Sequence, residues 1–410
     1  MTIQELGRRA QAASRVLMTS AGAVRSAALE AMDRALKERQ AEILAANALD
    51  LENAQKNNMR ASLQDRLRLT PARIAGMRRG ILEIRGMTDP VGVVLGGGAL
   101  ANGLRMQQVS VPLGVIGMIF EARPNVVADA AALCLKSANA LILRGGKEAI
   151  HSNMAIANAL REAIQSAGLP INSVQLVEDT SRESANALMR ANGLVDVLIP
   201  RGGAGLIKAV VENATVPVVE TGAGVCHTYV DANADIAMAL DITENAKVSR
   251  PSVCNALETL LVHQDIANDF LPKLAEKLSN VEFRCDEAAL ALLGGTLATE
   301  EDWLAEYGDL ILAVKVVADM DEALAHIAKY STKHSECIVT GSYAAAQRFL
   351  NEADAAAVYV NASTRFTDGG EFGLGAEIGI ATQKLHARGP LGLKHLTSSK
   401  YLIYGNGQIR

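Results

Sequence analysis

Apolar positions recur every three to four residues from the start of the chain to about residue 88. The run SAALEAMDRALKERQAEILAANALDLENAQ spaces Leu and Ala three and four apart with charges between them, the pattern of amphipathic helices. Pro90 and the segment LGGGALANG end it. From Gly96 to Val111, glycines give way to alternation in LRMQQVSV, which predicts a β-hairpin or arm. From Leu113 the rhythm changes again. LGVIGMIF and ALILRG are short apolar strands. PNVVADAAALCLKSA and KEAIHSNMAIANALREAIQSAG are helical, the first with Pro124 suited to its opening turn, the second closing at Gly168. SVQLV, SRESANALMRAN and VDVLIP continue the alternation, and a glycine-rich crossover, RGGAGLIKAVVENATV, follows. Such βαβ repetition predicts a mostly parallel sheet with helices on both faces.

After Gly224 a second series begins with HTYVDANADIAMALDITENAKV, and LETLLVH, DIANDFLPKLAEKLSN, LILAVKVV, MDEALAHIAKYS, CIVTGS, YAAAQRFLNEA and AAVYVN extend it. The expected organisation is α/β: one domain over 1–225 carrying a small β arm at about 96–111, a second over 226–365, and a return segment over 366–410. The tail LTSSKYLIYGNGQIR reads as a strand. It is expected to pair with the Leu104–Val111 segment or with the sheet edge of a partner subunit.

Aromatics are 3% of the chain against 49% hydrophobic residues overall, so the cores are aliphatic. The net charge of −5 with no long block of one sign argues against nucleic-acid binding, which favours a basic face and stacking aromatics. Small anionic ligands need only a local pocket and stay open. The five cysteines, Cys134, Cys226, Cys254, Cys285 and Cys337, are scattered and form no CxxC. That weighs against a disulfide framework and against a zinc site, so no metal is expected. The N-terminal stretch lacks the apolar core of a signal peptide, and no run approaches membrane-spanning length. A cytoplasmic protein is expected.

Cys254, in VSRPSVCNALET, stands at a junction rather than in an apolar run. Lys247 and Arg250 lie within one or two turns of it, and Pro251 and Ser252 are expected to start a helix. Both a helix start and a nearby cation raise the thiolate fraction of a cysteine. Cys134 in DAAALCLKSA and Cys337 in an apolar strand read as core packing. Cys226 and His227 are strand neighbours that point to opposite faces, so they are not expected to cooperate. The glycine turns LILRGGKEA and LIPRGGAGL each follow a strand and precede a helix, where backbone N–H groups can meet a phosphate. Arg144, Lys147 and Arg201 stand beside them. Neither turn is a GxGxxG, yet two on successive units favour a nucleotide ligand. His334, just before a strand in YSTKHSECI, reads by position as a surface or turn residue. Glu220, in VVETGAG, reads equally as a crevice carboxylate or a loop group satisfied by backbone N–H donors.

Two α/β domains, an unconventional nucleotide turn and a cysteine opening the second domain resemble the aldehyde dehydrogenase superfamily. RPSVCNALETLLVH, IPRGGAG, GVCHTYVD, KHSECIVT, VPLGVIGMIFEARPNV, LILRGGKEA and above all VYVNASTRFTDGGEFGLGAEIGIATQKLHARGP resemble one branch, the γ-glutamyl phosphate reductase family of proline biosynthesis, from about Ala10 to Arg410. The resemblance implies an aldehyde dehydrogenase-like fold with an NADPH-binding first domain and a catalytic second domain. It implies reduction of L-glutamyl 5-phosphate to L-glutamate 5-semialdehyde, with release of phosphate, through a thioester on Cys254. Covalent capture divides one difficult displacement into two easier steps. The Cys254 N–H is one candidate oxyanion donor, and Asn125 or Arg123, in EARPN, another. Arg144, Gly145, Gly146, Lys147, Arg201, Gly202, Gly203 and Glu306 are assigned to the cofactor. In that set Arg144 falls near the adenosine ribose and Glu306 near the nicotinamide ribose. Arg123, Ser252 and His334 are assigned to the substrate. The role of Glu220 stays open.

Partners follow from the chemistry. An acyl phosphate is short-lived and γ-glutamyl phosphate cyclises with its own amine, so glutamate 5-kinase, which makes it, is an expected transient partner. A homo-oligomer is expected from the arm and the tail strand, and neither a nucleic acid nor a membrane is. Two alternatives compete: an NAD(P)-dependent aldehyde dehydrogenase forming a free acid, and a non-catalytic nucleotide-binding scaffold on the same fold.

Overall fold

The computed structural model describes residues 1–410, apart from the side chains of residues 61, 62 and 204. The N-terminal helical pattern resolves into five helices, Ile3–Thr19, Gly22–Glu38, Gln40–Lys56, Ala61–Leu67 and Pro71–Gly86. Thr2 and Thr70 accept the N–H groups of Glu5 and Arg73, which satisfies otherwise orphaned donors at those helix starts.

These helices pack on a four-stranded parallel sheet ordered Val174–Leu176, Ala140–Gly145, Val115–Phe120, Val197–Arg201. Every residue of Val115–Phe120 is buried. That is why its sequence is a continuous apolar run rather than an alternation. The helix Asn125–Lys136 is almost entirely buried, with Pro124 at its N-cap.

The second sheet has seven parallel strands, ordered Thr296–Leu297, Glu282–Cys285, Ile311–Val317, Leu257–His263, Cys226–Val230, Ser335–Val339, Ala357–Val360. Its hydrophobic clusters are separate from the one under the first sheet. The segment after Ala357–Val360 returns to the first sheet, where Ile378, Ala381, Leu391 and Leu396 join its core. The return segment therefore threads from the second sheet back to the first.

The arm is a three-stranded antiparallel sheet of Val94–Ala99, Arg105–Pro112 and Thr397–Tyr404. The tail strand pairs within its own chain, register Tyr404 with Arg105 through Thr397 with Pro112. Val94, Leu95, Tyr401 and Ile403 stay exposed on it. Among the described residues, no helix is long and apolar enough to cross a membrane.

Candidate active site

Cys254 does not open a helix. The helix Ile236–Val248 ends six residues earlier, and Cys254 lies in a turn that leads directly into the strand Leu257–His263. The expected helix start at Pro251 and Ser252 is thus a turn, because Asn255 ties this segment elsewhere. Asn255 Nδ2 donates to the carbonyl oxygens of Arg365 (3.1 Å) and Thr367 (3.0 Å), and its own carbonyl accepts from Thr364 Oγ1 (2.7 Å). The side chain of Arg365 returns to Asn255 Oδ1. From below, the Cys226 thiol donates to the Cys254 carbonyl (3.2 Å).

The thiol faces a cleft of about 720 Å³ between the two sheets. Arg123, Arg201 and Arg365 line it from three different segments, and Arg66, Arg68, Arg73 and Arg250 line it too. Burial pushes the Cys254 thiol up to about 11, while Arg201 and Arg123 pull it down and Glu306 and Glu377 push it up. Burial and the like charges of Arg201 and Arg66 lower Arg123 to about 10. Burial dominates, and cations supplied by the side chains of other segments, rather than a helix dipole, offset it in part. Glu377 lines the same cleft with Oε2 buried and unpaired. Its carboxyl is raised to about 7, chiefly by burial and by Asp368.

Of the residues expected at the substrate, Arg123 and Ser252 line this cleft. His334 does not. It is 0% exposed, with Nδ1 at 2.8 Å from Ser335 Oγ and 3.7 Å from Cys226 Sγ. Burial lowers it to about 4, so it is a neutral ring behind the cysteine turn rather than a surface residue. Asn125 lines the cleft, and its amide donates one hydrogen to Asp129 Oδ2 (3.0 Å), which leaves the second free.

Of the residues expected at the cofactor, Arg201 lines the Cys254 cleft. A strand end turns its last side chain by the pleat, and the neighbouring glycines do not fix that direction. Arg144 stands at the first glycine turn. Its Nη2 donates to the carbonyls of Thr180 (2.7 Å) and Ser181 (2.8 Å), and Nη1 to that of Gly145. Gly145 and Gly146 form a packed turn, since a Cβ would strike Asn153 and Phe120 at the first and the Glu148 carboxylate at the second. Glu148 is held there by the Ala122 N–H (2.9 Å). Lys147 is exposed beside this turn.

The second turn suits a phosphate better. Gly203 caps the helix Ala204–Asn213, and its N–H donates to Glu121 Oε2 (2.8 Å). This helix start already holds an anion, the carboxylate of Glu121, and the space around Gly205 is open. Backbone N–H groups at such a helix start can also meet a phosphate once that carboxylate moves aside. Glu306 Oε1 accepts the Gly224 N–H (3.2 Å). Glu220 lies in a separate cleft of about 380 Å³, with Lys208, Thr332 and Thr382.

Several cleft residues were not singled out in the sequence: Arg66, Arg68, Asp129, Asn255, Arg365 and Glu377. The arginine pair in DRLRLTPAR reads as a solvated helix face. Asp129 is the lone carboxylate of an Ala-rich helix that turns out to be buried almost throughout, and a carboxylate in such a place is the available signal.

A cysteine thiol facing a cleft between two parallel-sheet units, with a glycine-capped helix on the first, is the arrangement expected of the aldehyde dehydrogenase class. The aldehyde dehydrogenase family model matches residues 1–302. The chain is 57% identical over 404 residues to the γ-glutamyl phosphate reductase of Clostridium novyi, covering 98% of this chain and 97% of that protein. It is 55% identical over 413 residues to that of Caldanaerobacter subterraneus, covering all of both. The crystal structure of γ-glutamyl phosphate reductase from Thermotoga maritima superposes with a TM-score of 0.97 at 47% identity, covering 99% of each chain. The chain belongs to the γ-glutamyl phosphate reductase family.

Proposed function

We propose that this enzyme reduces L-glutamyl 5-phosphate to L-glutamate 5-semialdehyde and releases phosphate, the second step of proline biosynthesis. The observation that carries the proposal is the Cys254 thiol facing a cleft lined by Arg123, Arg201 and Arg365. An acyl phosphate brings a dianion next to the carbon under attack, and guanidinium groups are the side chains that bind such oxygens in two-point fashion.

The thiol must lose its proton first. Glu377, in the same cleft and with an unpaired oxygen, is the acceptor in this reading. Sγ then attacks C5, and phosphate leaves with the electron pair of the C–O bond. The N–H of Cys254 and the guanidinium groups stabilise the oxyanion. A nicotinamide cofactor, when bound, supplies the hydride that converts the thioester into a thiohemiacetal. Collapse of that adduct breaks the C–S bond and frees the aldehyde, and the proton held by Glu377 restores the thiol. The cofactor residues in this reading are Gly202 and Gly203 at the helix start, Glu306 beside Gly224, and the Arg144–Lys147 turn. NADPH is the proposed form, with exposed Lys147 as the cation nearest that turn.

A homo-oligomer through the exposed arm, a transient contact with glutamate 5-kinase and a cytoplasmic location complete the proposal. The decisive assay runs in reverse: glutamate 5-semialdehyde with NADP, with and without inorganic phosphate. Turnover that depends on phosphate supports the reading. Equal turnover without phosphate points to an aldehyde dehydrogenase forming the free acid and overturns it.

A further inference from the structure

The cleft has one feature that its arginines leave unexplained. A γ-glutamyl substrate carries two anionic ends, the phosphate and the α-carboxylate, and one cation, the α-ammonium. Guanidinium groups answer the anions and repel the cation. The ammonium needs a carboxylate with no other cation attached.

Four carboxylates line the cleft: Asp65, Asp129, Asp368 and Glu377. Asp65 is paired with Arg73 at 2.9 Å. Asp368 is exposed and caps its own loop by accepting from Gly370 N. Glu377 stands in the field of the Cys254 thiol, at the reacting end. Asp129 remains. It lies on the helix Asn125–Lys136, and its hydrogen-bond partner is the neutral amide of Asn125 (3.0 Å). Burial raises its carboxyl to about 6, and the charge that offsets this is Arg201 acting at a distance without a hydrogen bond. Beside it, Leu69 (7% exposed) and Met77 (4%) give the cleft an apolar wall suited to the methylenes of a glutamyl chain.

We infer that Asp129, oriented by Asn125, binds the α-ammonium group of the substrate, selecting an amino-acid acyl phosphate and keeping its amine from attacking its own C5. The inference rests on the function proposed above. The side reaction is simple. A neutral amine attacks C5, the C–O bond to phosphate breaks, and the five-membered lactam 5-oxoproline forms with loss of the amine proton. An ammonium held against a carboxylate has no lone pair to offer, and it is anchored away from C5.

The test compares two aldehydes in the phosphate-dependent reverse assay, glutamate 5-semialdehyde and 5-oxopentanoate, which lacks the amine. The wild type should prefer the amino substrate. Asp129→Asn should lower kcat/KM for it by about 10- to 100-fold, the range for a lost hydrogen bond to a charged group, and so collapse the preference. In the forward direction the variant should release phosphate faster than it oxidises cofactor, the excess appearing as 5-oxoproline. Equal losses on both aldehydes, or an unchanged preference, would overturn the inference. If the variant does not fold, L-glutamate and glutarate are compared as inhibitors of the wild type. Glutamate should bind at least tenfold more tightly, and equal inhibition overturns the inference. Failure of the wild type to require phosphate is a distinct result, which removes the proposed function itself.

Discussion

Gly224 lies against the carbonyl of Cys254 so closely that a Cβ at position 224 would overlap the oxygen. The same glycine donates its N–H to Glu306 Oε1 (3.2 Å). A missing side chain thus joins the Cys254 turn to the loop expected at the nicotinamide ribose. Gly224→Ala must push the cysteine turn outward. The expected stability loss is about 1–3 kcal/mol, as for other overpacked sites. The activity loss should be larger, since a displacement of about 1 Å at a reacting group costs about 100-fold. Thermal melts and kcat measured on the same preparation separate the two. A variant with wild-type kcat would show that the turn yields without consequence.

The thiol itself gives a pH prediction. Burial disfavours the anion and raises Cys254 to about 11, so at neutral pH the thiol of the free enzyme is expected to stay overwhelmingly protonated. Alkylation by iodoacetamide should rise about tenfold per pH unit from 7 to 10, without a plateau. Arg201→Gln removes the leading cation that pulls this value down, so alkylation should slow at every pH. A plateau below pH 8 would mean that the free thiol is far more acidic. Cys254→Ala should abolish turnover. Cys134→Ala and Cys337→Ala, at fully buried positions, should keep it and lose about 0.5–3 kcal/mol of stability.

What could be read in the sequence followed from periodicity and local chemistry. The buried strand Val115–Phe120 is legible because it is apolar throughout, and the arm because Arg105–Pro112 alternates. Cys254 is legible because a thiol in a polar junction is unusual. The direction of Arg201 was not, since neighbouring glycines say where a turn falls and not which cleft a side chain enters. His334 misled because its burial comes from Cys226 and Ser335 packing around it, a tertiary fact. Asp129, Arg365 and Glu377 come from three separate segments, and only the return of the chain after residue 360 brings the last two to the cysteine.

Arg144, expected near the adenosine ribose, gives its guanidinium to the carbonyls of Thr180, Ser181 and Gly145. It fixes the loop before the helix Arg182–Met189. Arg144→Ala should therefore weaken NADPH and NADH by similar factors, about tenfold for lost hydrogen bonds of this kind. The KM values for both cofactors decide. A loss confined to NADPH would show that the guanidinium meets the 2′-phosphate after all.

Lys247 Nζ and Glu258 Oε2 meet at 2.6 Å with both side chains fully buried, and Glu258 Oε1 accepts the Gly308 N–H (3.1 Å). This carboxylate ties the end of the helix Ile236–Val248 to the loop that carries Glu306. Lys247→Met leaves a buried carboxylate without its cation, and such breakage costs about 3–5 kcal/mol. Pairing it with Glu258→Leu removes the orphaned charge, so the urea midpoint should recover most of the loss. The Gly308 N–H then has no acceptor, and the Glu306 loop loses its anchor. The double variant should thus be stable yet show a KM for the cofactor raised about tenfold, in line with one lost hydrogen bond to a charged group. A stable double variant with an unchanged KM would mean that Glu258 serves only to balance Lys247.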